Sequence, residues 1–312
     1  LAEERRNTVV QPEVEVFAPG STHDTYEIIE LIGEGREAHV YKGKTKVYMG
    51  KEPEDRIVAL KIFKPDIPRE RWQQELMITS WLNSSYVIRT EDYGRWRNQR
   101  YFLAIGYIEG QSMRSLIKSG QRPSLEDFRT IALGLMEALG AFHNFVDEEG
   151  TRSPLLHCDI KPDNIMITHD NKPVLIDCTL AGEPRIGTFQ GTRPYVPPDS
   201  VSGSDVQFSQ SSDLYALGVT LWEWLFGCLP YRWAAVGDEP ELPDGFTELP
   251  EYLRTWLRKA VATNSEERFK SVAEMRAAFT EDSDRREQSQ LGDRPSHATF
   301  APSESPEQGE YV

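Results

Sequence analysis

Hydrophobic and polar positions change rhythm once along this chain. Up to about Ile108, short β-branched and aromatic runs are broken by Gly, Pro and Asn. Residues 26–32, 38–46, 57–63, 86–93 and 101–107 read as strands. One stretch differs: residues 68–82 open with Pro68 in a first-turn position and run through helix formers to Asn83, which predicts a helix. From Ser112 onward the spacing is helical. Phe128, Ile131, Leu135, Leu139 and Phe142 recur on one face behind Ser124. Residues 213–226 are apolar nearly all round, the mark of a helix enclosed in a large domain. Ser271 and Glu274 have the spacing of a capping box that opens a last helix. Strands with one helix, followed by a larger helical part, predict an α+β fold of two lobes with a cleft.

The ends read differently. Residues 1–22 are polar and contain Pro12 and Pro19, as an arm or linker would. Residues 281–312 are rich in Ser, Pro, Glu and Gln, and bury too little apolar surface to offset ordering entropy, which predicts a disordered tail. The small lobe with its connection is then expected over 23–108 and the large lobe over 109–280. The chain starts at Leu1 rather than Met, as a processed form or a piece of a longer protein fused to other domains would.

Charge and cysteine content narrow the function classes. A net charge of −15 over 312 residues argues against nucleic acid or an anionic membrane surface as partner, because both require clustered Lys and Arg. Cys158, Cys178 and Cys228 are too few and too scattered for a disulfide framework, which points to a reducing cytoplasm. No apolar run reaches the roughly 18–20 residues of a membrane span.

Four stretches carry chemistry. Gly33-Glu34-Gly35 joins a strand to the next one, which contains Val40, and lets a backbone turn approach a phosphate; Ala38 stands where a third glycine would be expected. Val58-Ala59-Leu60-Lys61 places a lysine in an apolar strand, as a point charge over phosphates requires. Such a lysine needs an orienting carboxylate. Glu75, on the same predicted helical face as Trp72 and Thr79, is the candidate, with Glu70 as runner-up. His157-Cys158-Asp159-Ile160-Lys161-Pro162-Asp163-Asn164 brings a carboxylate, a cation and an amide into one short loop. Phosphoryl transfer needs these parts: a base for the incoming hydroxyl, a charge near the phosphoryl group, and an oxygen ligand for Mg2+. Val174-Leu175-Ile176-Asp177 ends an apolar strand in a carboxylate suited to the same metal. A paired-carboxylate hydrolase is disfavoured, since no sugar-binding aromatics lie between Asp159 and Asp177.

In this order, these stretches resemble the eukaryotic-type protein kinase family, in its Ser/Thr branch and with the compact style of bacterial members. The resemblance covers most of the chain and implies ATP with Mg2+, or Mn2+ in its place, and protein substrates. It implies that Gly33, Gly35, Val40, Ala59 and Lys61, with Gly106, Tyr107 and Ile108 at the hinge, receive the nucleotide. Asp159 would be the base, Lys161 the phosphate-contacting cation, Glu75 the partner of Lys61, and Asn164 and Asp177 the metal ligands. A lysine two residues after the base is the Ser/Thr mark. Asp213 would brace the catalytic loop, and Arg268 would pair with Asp199 at the close of the activation segment.

The chain departs from the family at the control elements. Cys158 replaces the Arg that holds a phosphorylated activation segment, so activity is expected not to depend strongly on phosphate at Thr188 or Thr192. Asp177-Cys178-Thr179 replaces Asp-Phe-Gly, which predicts a looser or differently packed coupling between the Glu75 helix and Asp177. Cys158 and Cys178 are expected near one another, as space-filling thiols or as a redox pair. The competing readings are a nucleotide-binding scaffold without catalysis, a pseudokinase, and a small-molecule phosphotransferase. The last generally lacks the 191–199 segment end and its Arg268 partner.

Overall fold

Six strands form one antiparallel sheet in the computed structural model, which describes residues 16–48, 53–97, 100–147, 149–182, 191–202, 205–232 and 234–280. They are β1 (Thr22–His23), β2 (Tyr26–Glu34), β3 (Ala38–Tyr48), β4 (Pro53–Phe63), β5 (Thr90–Trp96) and β6 (Arg100–Gly106), in the order β1-β2-β3-β4-β6-β5. Helix α1 (Arg69–Trp81) crosses one face, with Trp72 stacked on Tyr101 at 4.2 Å between ring centroids. Apolar clusters cover both faces of β4, one containing Tyr41, Leu60 and Trp96 and the other Ala59, Phe63 and Leu103. That double cover is why residues 58–63, Lys61 apart, are apolar on both faces of the strand rather than alternating.

Two expectations for the small lobe are corrected. The 86–93 run is not one strand, because β5 begins only at Thr90. Its first residues bond across the cleft instead: the Ile88 N–H donates to the Leu175 carbonyl at 2.8 Å and the Leu175 N–H to the Tyr86 carbonyl at 2.9 Å. Residues 86–88 are apolar because they form the seam between the lobes. The arm also reaches further into the fold than its polarity suggests. Phe17 is buried against Tyr41 and Trp96, and β1 extends the sheet edge.

Past the connection at 107–109 the chain becomes helical. β7 (Gly110–Ser112) leads into α2 (Met113–Lys118) and α3 (Leu125–His143). Ser124 caps α3, its hydroxyl accepting from the Asp127 N–H at 3.1 Å. All five residues of the predicted α3 stripe are buried. The short strand β8 (Ile165–Thr168) pairs with β7 on one side and with β9 (Pro173–Leu175) on the other. Helix α4 (Gln210–Phe226) is buried continuously from Ser211 to Trp224, as its all-round apolar character requires. Gly218 lets α5 (Glu251–Ala260) cross it closely: a Cβ there would lie 2.8 Å from the Ala260 Cβ. Helix α6 covers 272–280. Its capping box is half formed. The Ser271 hydroxyl accepts from the Glu274 N–H, while Glu274 takes the Lys270 N–H and the Lys259 ammonium. The expected tail at 281–312 lies outside the described residues, as does most of the arm. Among the described residues, no helix is long and apolar enough to cross a membrane.

Arg268, 3% exposed, donates twice to Asp199 at 2.8 and 2.7 Å and also reaches the Ala262 carbonyl. The Arg268→Ala variant should lose about 2–3 kcal/mol of stability, less than a fully enclosed pair would cost because Asp199 can rehydrate. Denaturant midpoints of the variant and the parent protein measure this.

Candidate active site

Four segments meet at the cleft, and each is placed by the fold rather than by neighbouring sequence. Lys61 lies on β4 and is 7% exposed. Its ammonium donates to both Glu75 oxygens at 2.7 and 2.8 Å, to Asp177 Oδ1 at 3.0 Å and to the Thr179 hydroxyl at 2.8 Å. Glu75 shares the buried face of α1 with Trp72, Ile78 and Thr79, whereas Glu70 is exposed at the helix start. Burial works against the Lys61 charge, but Asp177 and Glu75 outweigh it and hold the lysine above its ordinary pKa. Asp177 is kept well below the usual carboxylate range: burial opposes ionisation, and the Lys61 charge and the Thr179 hydroxyl overcome it. Glu75, only 2% exposed, carries the burial cost, which pushes its carboxyl up against the pull of Lys61.

Thr179 changes the expected coupling. Rather than loosening the contact between α1 and Asp177, its hydroxyl also reaches Glu75 Oε2 at 2.9 Å and Asp177 Oδ1 at 2.5 Å. The joint is packed differently and gains hydrogen bonds. The neighbouring thiol, Cys178, is fully enclosed in the large-lobe core, and burial pushes its pKa well up. Cys158 packs against a different cluster with Leu156, Val196 and Phe208, and neither cysteine is in a disulfide. The two thiols therefore do not share one packing site.

The 157–164 loop is held from beneath. Asp213, near the start of α4, accepts from the His157 N–H, the Cys158 N–H and His143 Nε2, each at 2.9 Å. Burial would raise its pKa, but these bonds, led by that of His143, hold it down. They fix Cys158 at φ +65°, an uncommon conformation for a residue with a Cβ. Asp159 follows and is saturated with donors. Its Oδ2 accepts from Lys161 at 2.6 Å and Asn164 at 3.0 Å, and its Oδ1 from the Thr192 hydroxyl at 2.9 Å. Thr192 in turn accepts from Lys161 at 3.0 Å. Gly191 permits this approach: at φ +91°, a Cβ would sit 2.5 Å from the Cys158 carbonyl oxygen.

The cleft between these groups is apolar. Val40, Ala59, Tyr107, Ile108 and Ile176 join one apolar cluster that draws on both lobes. Gly33 pairs with Val40 inside the β2–β3 ladder, and the turn itself begins at Gly35, whose N–H donates to the Ala38 carbonyl. Gly106 ends β6 and opens the connection.

The donor set suits a hard divalent cation. Asn164 directs its amide NH2 to the Asp159 carbonyl at 2.8 Å, which leaves its amide oxygen as an acceptor. Asp177 is 38% exposed and keeps Oδ2 beside Oδ1, which is already bonded. Among the described residues, no cluster of three His, Cys, Asp or Glu forms a protein-only cage. Two oxygen ligands completed by phosphates and water match Mg2+.

One network has little signature in the sequence. Arg114 on α2 donates to Asp163 at 3.0 Å, to Glu223 on α4 at 2.5 Å and to the Tyr195 hydroxyl at 2.6 Å. Only Glu223, the carboxylate in the mostly apolar 214–226 part of α4, could have been noticed. Beyond Thr192, a cavity of ≈ 290 Å3 opens, lined by Pro194, Val196, Pro198, Leu229, Tyr231 and Arg232 among others.

Residues 26–273 match the model of the protein kinase domain. The chain is 28% identical over 234 residues to serine/threonine-protein kinase A of Synechocystis, covering 69% of this chain and 44% of that protein. It is 29% identical over 282 residues to serine/threonine-protein kinase PknD of Mycobacterium tuberculosis, covering 83% and 40%. It is 30% identical over 231 residues to PknH of Mycobacterium bovis, covering 70% and 36%. The chain thus spans less than half the length of these relatives.

Proposed function

Because the chain belongs to the protein kinase family, we propose that it transfers the γ-phosphoryl group of ATP to Ser or Thr hydroxyls of proteins. The observation that carries this reading is the joined state of both halves of the site. Lys61 is clamped by Glu75 and Asp177, and Asp159 is held by Lys161, Asn164 and Thr192 in the same structure.

The adenine would lie against the apolar side chains of Val40, Ala59, Tyr107 and Ile108, with its phosphates toward Lys61 and the Gly33–Gly35 turn. A divalent ion held by Asn164 and Asp177 would neutralise phosphate charge. The acceptor hydroxyl gives its proton to Asp159 as its oxygen bonds to the γ-phosphorus. The bridging P–O bond breaks, and ADP leaves with that electron pair. Lys161, bonded to Asp159, would offset its charge before transfer and contact the moving phosphoryl group. The cavity beyond Thr192 would receive substrate side chains beside the acceptor. Transfer of labelled phosphate from ATP to a generic protein substrate, followed by phosphoamino-acid analysis, tests the proposal. Label on Ser or Thr is expected; nucleotide binding without any transfer favours the scaffold reading.

We also propose that activity does not require a phosphorylated activation segment, since Cys158 packs into an apolar cluster where the family places a cation. Thr188 lies outside the described residues. The two threonines are unequal probes, because Thr192 itself bonds Asp159 and Lys161. Thr188→Ala should keep its rate within about threefold of the parent; a hundredfold loss, about 2.7 kcal/mol of barrier, contradicts the proposal.

A further inference from the structure

Thr179 follows Asp177 by two residues, where the family carries glycine, and it is 7% exposed. A hydroxyl has one proton and two lone pairs. Here a lone pair accepts from Lys61, and the proton is shared between Asp177 Oδ1 and Glu75 Oε2. The Thr179 N–H adds a bond to Asp177 Oδ1 at 3.1 Å. One side chain thus touches three groups that come from β4, α1 and the end of the 174–177 run.

The segment after Asp177 is pinned at two more points. The Gln74 carboxamide on α1 donates to the Ala181 carbonyl at 2.6 Å, in space left by the missing side chain of Gly182. Leu156, immediately before His157, exchanges backbone bonds with Gly182 at 2.7 and 2.9 Å. These two hooks fix the far end of the segment, and the Thr179 hydroxyl fixes its near end.

We infer that Thr179 is a positioning residue whose hydroxyl latches Asp177 to the Lys61–Glu75 pair, and so holds α1 and the metal-binding carboxylate in their working arrangement from within the cleft. Its role toward metal and nucleotide rests on the phosphotransfer reading, whereas the latch itself is a property of the ligand-free fold. Glycine at 179 would remove the hydroxyl and free the backbone. Valine would keep the β-branched shape and place a methyl group against two carboxylates. Serine would keep the hydroxyl.

The test compares the parent protein with Thr179→Val, Thr179→Gly and Thr179→Ser. Amide hydrogen exchange without nucleotide or metal should show protection over 176–182 and at the centre of α1 falling about fivefold in the Val and Gly variants, as loss of a buried hydrogen bond implies. The β2–β3 ladder should be unchanged, and Ser should restore protection. ADP binding titrated with Mg2+ should need about tenfold more Mg2+ in the Val and Gly variants, the usual cost of losing a group that orients a metal ligand. ADP binding without Mg2+ should weaken by a smaller factor, through the Lys61 contact alone. If Val fails to fold, the Gly and Ser variants give the same comparison. Parent-like exchange and parent-like Mg2+ dependence in both Val and Gly overturn the inference, even if the parent protein transfers phosphate. Loss of protection in a protein that transfers no phosphate sustains the latch and overturns the phosphotransfer reading instead.

Discussion

Asp159→Asn should lower the phosphotransfer rate by about a thousandfold, within the usual range for a lost general base, while the protein folds and binds nucleotide as before. The geometry explains the separation. The asparagine oxygen can take the place of Oδ2 and accept from Lys161 and Asn164. Its NH2 then faces Thr192, whose hydroxyl can turn to accept. The hydrogen-bond frame survives, and only the carboxylate proposed as the base is lost. Steady-state rates with protein substrate, set beside a thermal melt and ADP titration, make the comparison. A rate within tenfold of the parent would assign the proton to another group.

Lys61→Met should damage both activity and stability. The ammonium is the cation between Glu75, 2% exposed, and Asp177. Its removal leaves a buried carboxylate without a counter-charge, expected to cost about 3–5 kcal/mol, with activity lost to background. The deficit should depend on pH. In the parent, Asp177 has a depressed pKa, so its stabilisation is present above the ordinary carboxylate range and is lost as pH falls through its folded value. In the variant, Glu75 has a still higher folded pKa, so its protonated form is favoured and its penalty grows as pH rises through that value. The stability gap between the two proteins should therefore narrow toward acid pH. Adding Glu75→Gln to Lys61→Met should recover part of the loss, a non-additivity expected of groups in contact. Urea unfolding at about pH 5 and 8 measures both effects.

Much of this was legible in the sequence because periodicity and local spacing carried it. The α3 stripe, the enclosed α4 and the buried face of α1 with Trp72, Glu75 and Thr79 follow from positions three and four apart. Lys61 showed itself as a cation inside an apolar run, and the 157–164 loop as an improbable order of carboxylate, cation and amide. What could not be read depends on segments that meet only in the folded state. The start of the 86–93 run is β-branched and aromatic like a strand, but Val87 bridges to β9 across the cleft. Arg114 resembles any surface arginine until Asp163, Tyr195 and Glu223 converge on it. Thr179 was visible as a departure from the family, yet the sign of its effect was not. A β-branched residue in place of glycine suggests altered packing, and only the convergence of Lys61, Glu75 and Asp177 makes it a hydrogen-bonding joint.

The most direct measurement is mass-spectrometric mapping of phosphosites after the intact chain is incubated with Mg-ATP and a protein substrate, in parallel with the Asp159→Asn variant. New phosphate on Ser and Thr with the parent chain, and none with the variant, is the predicted result. Equal labelling by both proteins, or none by either while nucleotide binds, would contradict phosphotransfer by this site.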